Sequence, residues 1–216
     1  MSTAGGGWTV FQRRLFDDNA TDFYRTYAEY QTGFGEVSGS HWLGLDTINR
    51  LTKTGKLEMR FDAEGCDGDS MFAVYENFRV GDASQEYVMT YDNFTRGSVG
   101  DSFNWPGTAQ NGSFFTTFDH DVDKHGGNCA QLFPSGFWFN KCFGVNLNGR
   151  YPTGHCSTAP FGIGIMVLIW KGEYYSAKGS KMMIRMKSEP NDNDDDDHHD
   201  DHDDEHNDDD DHNHDW

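Results

Sequence analysis

Residues 113–142, SFFTTFDHDVDKHGGNCAQLFPSGFWFNKC, bring acids, glycines, aromatics and two cysteines together. Asp119, Asp121 and Asp123 alternate with His120 and Val122, so an extended backbone would turn all three carboxylates to one side. Such a set suits a hard cation. Calcium takes backbone carbonyls as readily as carboxylates, and the flexible His125-Gly126-Gly127 that follows could curl round to complete a shell. An EF-hand loop does not fit. Counted from Asp121, Gly126 falls at the sixth position, but the twelfth is Leu132 where a bidentate Glu is required, and the frame from Asp119 ends on Ala130. The alternation by itself also describes a solvated acidic loop.

Cys129 and Cys142 bracket a turn-rich segment containing Pro134, Ser135 and Gly136, and no CxxC occurs in the chain. The pair therefore reads as a disulfide rather than a zinc site. In the chain-entropy picture so short a loop contributes roughly 3 kcal/mol. Four cysteines allow three pairings; with Cys129 joined to Cys142, Cys66 in a turn and Cys156 in a loop are left as free thiols or as a link to another chain.

The run D-x-D-x-x-x-G-N-C-A from Asp121, then S-G-x-W-x-N-x-C from Ser135 and N-L-N-G-x-Y from Asn146, resembles the fibrinogen-related domain. Residues 5–14 (GGGWTVFQRR), 22–35 (DFYRTYAEYQTGFG), 42–52 (WLGLDTINRLT) and 182–186 (MMIRM) look like the same family in the same order. The likeness runs from about Gly5 to Lys187, so one domain is expected over 5–187 and a separate tail over 188–216. The resemblance implies that Asp121 and Asp123 are calcium carboxylates, with His125 and Gly127 supplying backbone carbonyls. Asp119 would lie outside the shell or reach it through water. It further implies a cis peptide bond between Lys141 and Cys142 beside a ligand pocket. In acetyl-binding relatives paired backbone N–H groups there hold the acetyl oxygen and aromatic rings enclose its methyl. Phe139, Lys141, Cys142, Phe143, Asn146 and Phe161 fall at the matching positions. Two departures stand out. Phe143 and Phe161 replace the His and Tyr often found there, and Phe133 and Gly162 stand where fibrinogen has acids for a peptide amine, so a fibrin-type peptide partner is not expected. Members of the family usually begin with an upstream strand carrying two more cysteines. By that comparison the sequence is a piece of a longer chain or a domain lacking its first disulfide.

The chain has 216 residues and a formal charge of -19, of which residues 191–216 carry 14 Asp and one Glu with no Lys or Arg. A body near balance and an acidic tail offer no basic patch to displace counterions from a phosphate backbone, which excludes nucleic-acid binding. No apolar run reaches membrane-spanning length; the longest, Ile163 to Trp170, reads as a buried strand. The tail, with six His among fifteen acids and almost no apolar residues, is expected to be disordered and able to take up divalent metals. The start, MSTAGGGW, has neither the charged end nor the apolar core of a secretory signal, although the resemblance implies an extracellular protein. Sequons at Asn19, Asn93 and Asn111 would suit secretion.

Along the body, Trp8 to Leu15 reads as a strand, and Asp22 as a cap on a helix over Phe23 to Tyr30. A second helix carries Leu45, Ile48 and Leu51 and closes at Gly55. From Lys56 the period becomes two through MFAVYENFRV and EYVMTY, an antiparallel meander, before a loop over Thr95 to Gly112. His41 and His155 read as structural or surface residues. The fold class is thus α+β, with a central antiparallel sheet and a loop-built functional end. No GxSxG, HExxH or phosphate-binding glycine loop is present, so no enzyme is expected. The expected role is calcium-dependent, lectin-like recognition of acetylated glycans or related surface groups, in adhesion or innate-type defence, with other protein chains as further partners. The alternative is an extracellular metal- or mineral-interacting structural protein acting through its Asp/His tail.

Overall fold

The computed structural model describes residues 6–16, 21–151 and 157–187. The 188–216 tail, Asn19, Cys156 and His155 lie outside the described residues.

A seven-stranded antiparallel sheet forms one side of the domain. It uses β1 (Thr9–Arg14), β2 (Phe34–Gly35), β3 (His41–Trp42), β4 (Leu57–Glu64), β5 (Ser70–Glu76) and the strands Phe94–Gly97 and Gly179–Met186. The order is β2, β3, β1, Gly179–Met186, β4, β5, Phe94–Gly97. The last long strand thus inserts between β1 and β4, pairing Gly179 with Glu64 through to Met186 with Leu57. Alternation sets the two faces of β4: Leu57, Met59, Phe61 and Ala63 are buried in the core, whereas Arg60 and Asp62 point away. On that outer face opposite charges pair across strands, Lys181 with Asp62 at 3.0 Å and Arg96 with Glu58 at 3.2 Å.

Helix α1 (Tyr27–Thr32) and helix α2 (Leu45–Thr52) pack beside the sheet. The second buries Leu45 and Ile48 as their spacing suggested, but Leu51 is exposed and the helix ends at Thr52 rather than reaching Gly55. The first begins four residues later than Phe23 because Thr26 and Glu29 form a capping box; the Thr26 side chain accepts from Glu29 N and Glu29 accepts from Thr26 N at 2.9 Å. Asp22 instead accepts from Tyr24 N, tying the approach to the helix. The meander is broken twice by residues with positive φ, at Asn77 (51°) and at Glu86 and Tyr87 (53° and 46°). EYVMTY therefore contributes only Met89–Thr90, paired with Arg79–Val80 in a ribbon of its own.

The other half, from about Ser98, is nearly all loop, yet it is deeply buried. Trp42, Phe115 and Trp138 meet at 5.2–5.8 Å, and the two indoles donate to Tyr30 O and Tyr87 O at 3.0 and 2.8 Å. Gly136 lies so close to the Tyr30 ring that a Cβ there would sit 2.4 Å from Cε2. The apolar run 163–170 is buried through Ile165, Met166 and Val167, but only Met166–Val167 pair, with Val145–Asn146. Leu168–Lys171 form a helical turn, and Ile169 faces outward. The expected long strand is absent because no neighbouring strand extends beyond two residues. Among the described residues no helix is long and apolar enough to cross a membrane.

Side-chain amides replace the missing ladder. Gln110, fully buried, donates to Trp138 O and Val145 O at 2.9 Å each and accepts from Gly144 N and Val145 N at 2.9 and 2.8 Å. Gln12 of β1 reaches Leu147 O and Ser180 Oγ, joining the sheet to this half. Gln110→Ala is expected to lower unfolding free energy by about 3–5 kcal/mol, since several buried groups lose partners at once; denaturant titration measures it. Glu29 is held at about pKa 2, first by the Thr26 backbone and then by Arg25. Being depressed, it stabilises the fold fully above its ordinary value of 4.5 and loses that contribution as pH falls toward 2. The stability gap between wild type and Glu29→Gln should close over this window.

Candidate functional site

The loop 117–128 is a turn followed by a ring of local hydrogen bonds. Thr117 and His120 exchange backbone bonds at 2.9 and 3.2 Å, so Phe118 and Asp119 occupy a tight turn rather than an extended strand. This separates the three acids. Asp119 accepts from Tyr27 N at 3.0 Å and from the Thr117 hydroxyl at 2.7 Å, which makes it an anchor to the start of α1. Its neighbour His120 packs against Tyr27 at 4.1 Å with the rings tilted by 38°, and lies 2.7 Å from Glu86 Oε2, which also accepts from Tyr27 Oη at 3.0 Å. The contact with His120, then that with Tyr27, holds the Glu86 carboxyl below its ordinary value against the opposing effect of burial.

Asp121 and Asp123 remain together in the loop. Asp121 is exposed and accepts from Asp123 N at 3.4 Å. Asp123 accepts from His125 N and Cys129 N, both at 2.8 Å. Burial, and to a lesser degree the Asp121 charge, push the Asp123 carboxyl above its ordinary value, while the two backbone donors pull it back. A cation would relieve both adverse effects. The His125 ring curls over its own loop, with Nδ1 2.8 Å from Gly127 O. The donors on hand are two carboxylates and the carbonyls of His125 and Gly127, an all-oxygen set that fits calcium. Among the described residues, ligand atoms of His125, Cys129 and Cys142 also lie within 4.8 Å of one another. They offer no thiolates, because the two sulfurs are bonded to each other as read from the sequence. Cys66 is disulfide-bonded as well, which corrects its reading as a free thiol.

The disulfide ties Cys129, the first residue of a short helix (Cys129–Leu132) capped by Asn128, to the end of the Asn140–Cys142 turn. Lys124 N donates to Asn140 O at 2.9 Å and Asn140 N to Cys142 O at 2.7 Å, so the acid loop and this turn are bonded to each other. The Lys141–Cys142 peptide bond is cis.

Beside it opens a cavity of about 260 Å³. Lys141, Cys142, Phe143 and Phe161 line it, together with His125 of the acid loop. Phe139 and Asn146 do not. Phe139 is buried between Phe137 and Phe143, and the Asn146 amide is spent on Ser135 Oγ at 3.1–3.2 Å behind the wall. Phe133 and Gly162 are on the lining, as their alignment with pocket positions implies. Lining residues not singled out as site residues in the sequence are Trp105, Thr108, Leu132, Leu168 and Glu173. Trp105 in the NWPG stretch was the legible one, one of two large aromatics, with Phe103, in a loop of mostly small and polar residues. Glu173 gave no local signal; Gly162 N donates to its carbonyl at 2.8 Å and Ala159 N to the Tyr174 carbonyl at 2.9 Å, which set this segment beside the lining.

Residues 1–187 match the family model for the C-terminal globular domain of fibrinogen beta and gamma chains. The chain belongs to this family. Ryncolin-4 of Cerberus rynchops is 40% identical over 190 residues, which cover 88% of this chain and 53% of that protein, so the chain spans about half the length of this curated relative. The fibrinogen-like globe domain of human ANGPTL2 superposes with a TM-score of 0.79 at 37% identity, over 87% of this chain and 83% of the other. The lamprey fibrin D-dimer, solved with the peptide ligand Gly-His-Arg-Pro-amide, gives 0.77 at 30% identity over 85% and 62%. The fibrinogen-like fold is therefore shared by structure as well as sequence.

Removing the loop closure tests its part in the site. Cys129→Ala with Cys142→Ala is expected to cost roughly 3 kcal/mol by chain entropy, read as a lower denaturation midpoint.

Proposed function

We propose that this domain is a calcium-dependent recognition module that binds acetylated or related small groups on extracellular surfaces, in adhesion or innate-type recognition. The observation that carries the reading is the juxtaposition of the cavity with the Asn140–Cys142 turn, which is hydrogen-bonded through Asn140 to the acid loop. Asp121 and Asp123, with the carbonyls of His125 and Gly127, would hold calcium. The ion would supply positive charge that fixes the loop and, through Lys124 and Asn140, the pocket edge. Phe143 and Phe161 give apolar walls suited to a methyl group but donate no hydrogen bond, so orientation falls to backbone N–H groups beside Cys142. The lamprey relative, solved with a peptide ligand, supports ligand capture by folds of this kind. The chain's membership of the family supports secretion and a non-enzymatic role.

Calorimetric titration of N-acetylglucosamine into the full chain, with calcium and then with a chelator, tests this. Saturable binding in calcium, lost with chelator and reduced at least tenfold by Asp121→Asn or Asp123→Asn, is expected. Folded protein that takes up no sugar in calcium would rule out the acetyl reading and direct attention to the Asp/His tail, whose deletion should then abolish metal uptake.

A further inference from the structure

Two of the sequons lie among the described residues, and the fold treats them oppositely. Asn111-Gly112-Ser113 is stitched to the segment before it. Asn111 Oδ1 accepts from Tyr91 N at 3.2 Å while its Nδ2 donates to Tyr91 O at 2.8 Å, a two-point contact with one residue. Gly112 N donates to Met89 O at 2.8 Å and Met89 N to Ser113 O at 3.0 Å, so the backbone of the sequon is held as well. Ser113 keeps only 1% of its surface exposed, and its hydroxyl is buried.

Asn93-Phe94-Thr95 is arranged the other way. Its backbone is fixed to the end of β5: Asp92 N donates to Glu76 O and Glu76 N to Asn93 O, both at 2.9 Å. Phe94 turns to the Tyr75 ring at 5.7 Å, and the Thr95 hydroxyl reaches Val74 O at 3.2 Å. Asn93 and Thr95 are exposed, and the Asn93 side chain makes no hydrogen bond among the described residues. Asn93 immediately precedes the strand Phe94–Gly97, which pairs with β5 on one side and ends the sheet on the other.

Attaching a glycan turns the primary amide into a secondary one, whose substituents prefer to lie trans. The sugar then replaces the Nδ2 proton on the same side as Oδ1, the proton that a two-point contact must use. At Asn111 that proton is given to Tyr91 O, so a glycan there would break the contact. At Asn93 the same position is open to solvent.

From this contrast we infer that Asn93 carries an N-linked glycan, that Asn111 does not, and that the glycan covers the free edge of the sheet. The inference rests on the reading of the chain as extracellular. A lipid-diphosphate-linked oligosaccharide supplies the sugar. The Nδ2–C1 bond forms, the bond from C1 to the diphosphate oxygen breaks with the electron pair leaving on the diphosphate, and Nδ2 gives up one proton. Where transfer precedes folding, a chain modified at Asn111 cannot close the Tyr91 contact. Covering the edge has a physical consequence, because unpaired N–H and C=O groups on a last strand invite pairing with a second chain.

The full chain, secreted from a eukaryotic cell behind a secretory leader, should be mapped by peptide mass spectrometry after enzymatic deglycosylation in isotope-labelled water. Occupancy at Asn93 at least tenfold that at Asn111 is expected, and Thr95→Ala should abolish it. A secreted, folded protein bare at Asn93, or equally occupied at both positions, would overturn the inference. In unglycosylated protein Asn111→Gln should lower the melting temperature and Asn93→Gln should leave it unchanged; the reverse order would overturn the contrast between the two positions. Sedimentation velocity before and after deglycosylation should show more self-association after it, and no change would overturn the edge-covering role. N-acetylglucosamine titration of the same protein is read independently. A bare Asn93 therefore leaves the recognition reading standing, and failure of sugar binding leaves the glycan assignment standing.

Discussion

The buried amide of Gln110 holds three stretches of non-repetitive chain together, and the functional half of the domain depends on it. Loops buried without a ladder leave backbone N–H and C=O groups with no water and no strand partner, an arrangement a fold cannot tolerate in number. Here one glutamine answers four of them, at Trp138, Val145 and Gly144. Gln12 does the same between segments distant in sequence, and Asn128 and Asn148 do so within the loops, reaching Thr117 O and Gly136 O. The aromatic cluster of Trp42, Phe115 and Trp138 then fills the space these bonds define.

The site inherits its shape from this arrangement. The acid loop is pinned at one end to α1 through Asp119 and at the other to Asn140 through Lys124. The disulfide closes the same circuit from Cys129 to Cys142. A change at the acids therefore has a short covalent and hydrogen-bonded route to the pocket wall. This connection gives a physical basis for coupling between cation and ligand without any large movement of the fold.

The pocket is set apart by its composition. Phenylalanines at 143 and 161 leave it greasy, while Lys141 and Glu173 leave its rim charged on two sides.

Local sequence determined a good deal. Period-two alternation over 57–61, the apolar spacing of Leu45 and Ile48, and the Cys129 to Cys142 segment all foretold elements now seen, because each depends on neighbours within a few residues. So did the family motifs, which carried the fold as a whole. What the sequence could not give was decided by contacts between distant segments. Asp119 left the acid set because Tyr27, 92 positions away, offered it a backbone donor. The run 163–170 stopped being a strand because the strand it pairs with among the described residues, Val145–Asn146, is two residues long. Phe139 and Asn146 turned inward toward Phe137 and Ser135, and Glu173 reached the rim through Gly162. Periodicity reports which side of an element is apolar, but which polar group meets which ligand is fixed only when loops far apart in the chain are packed against one another.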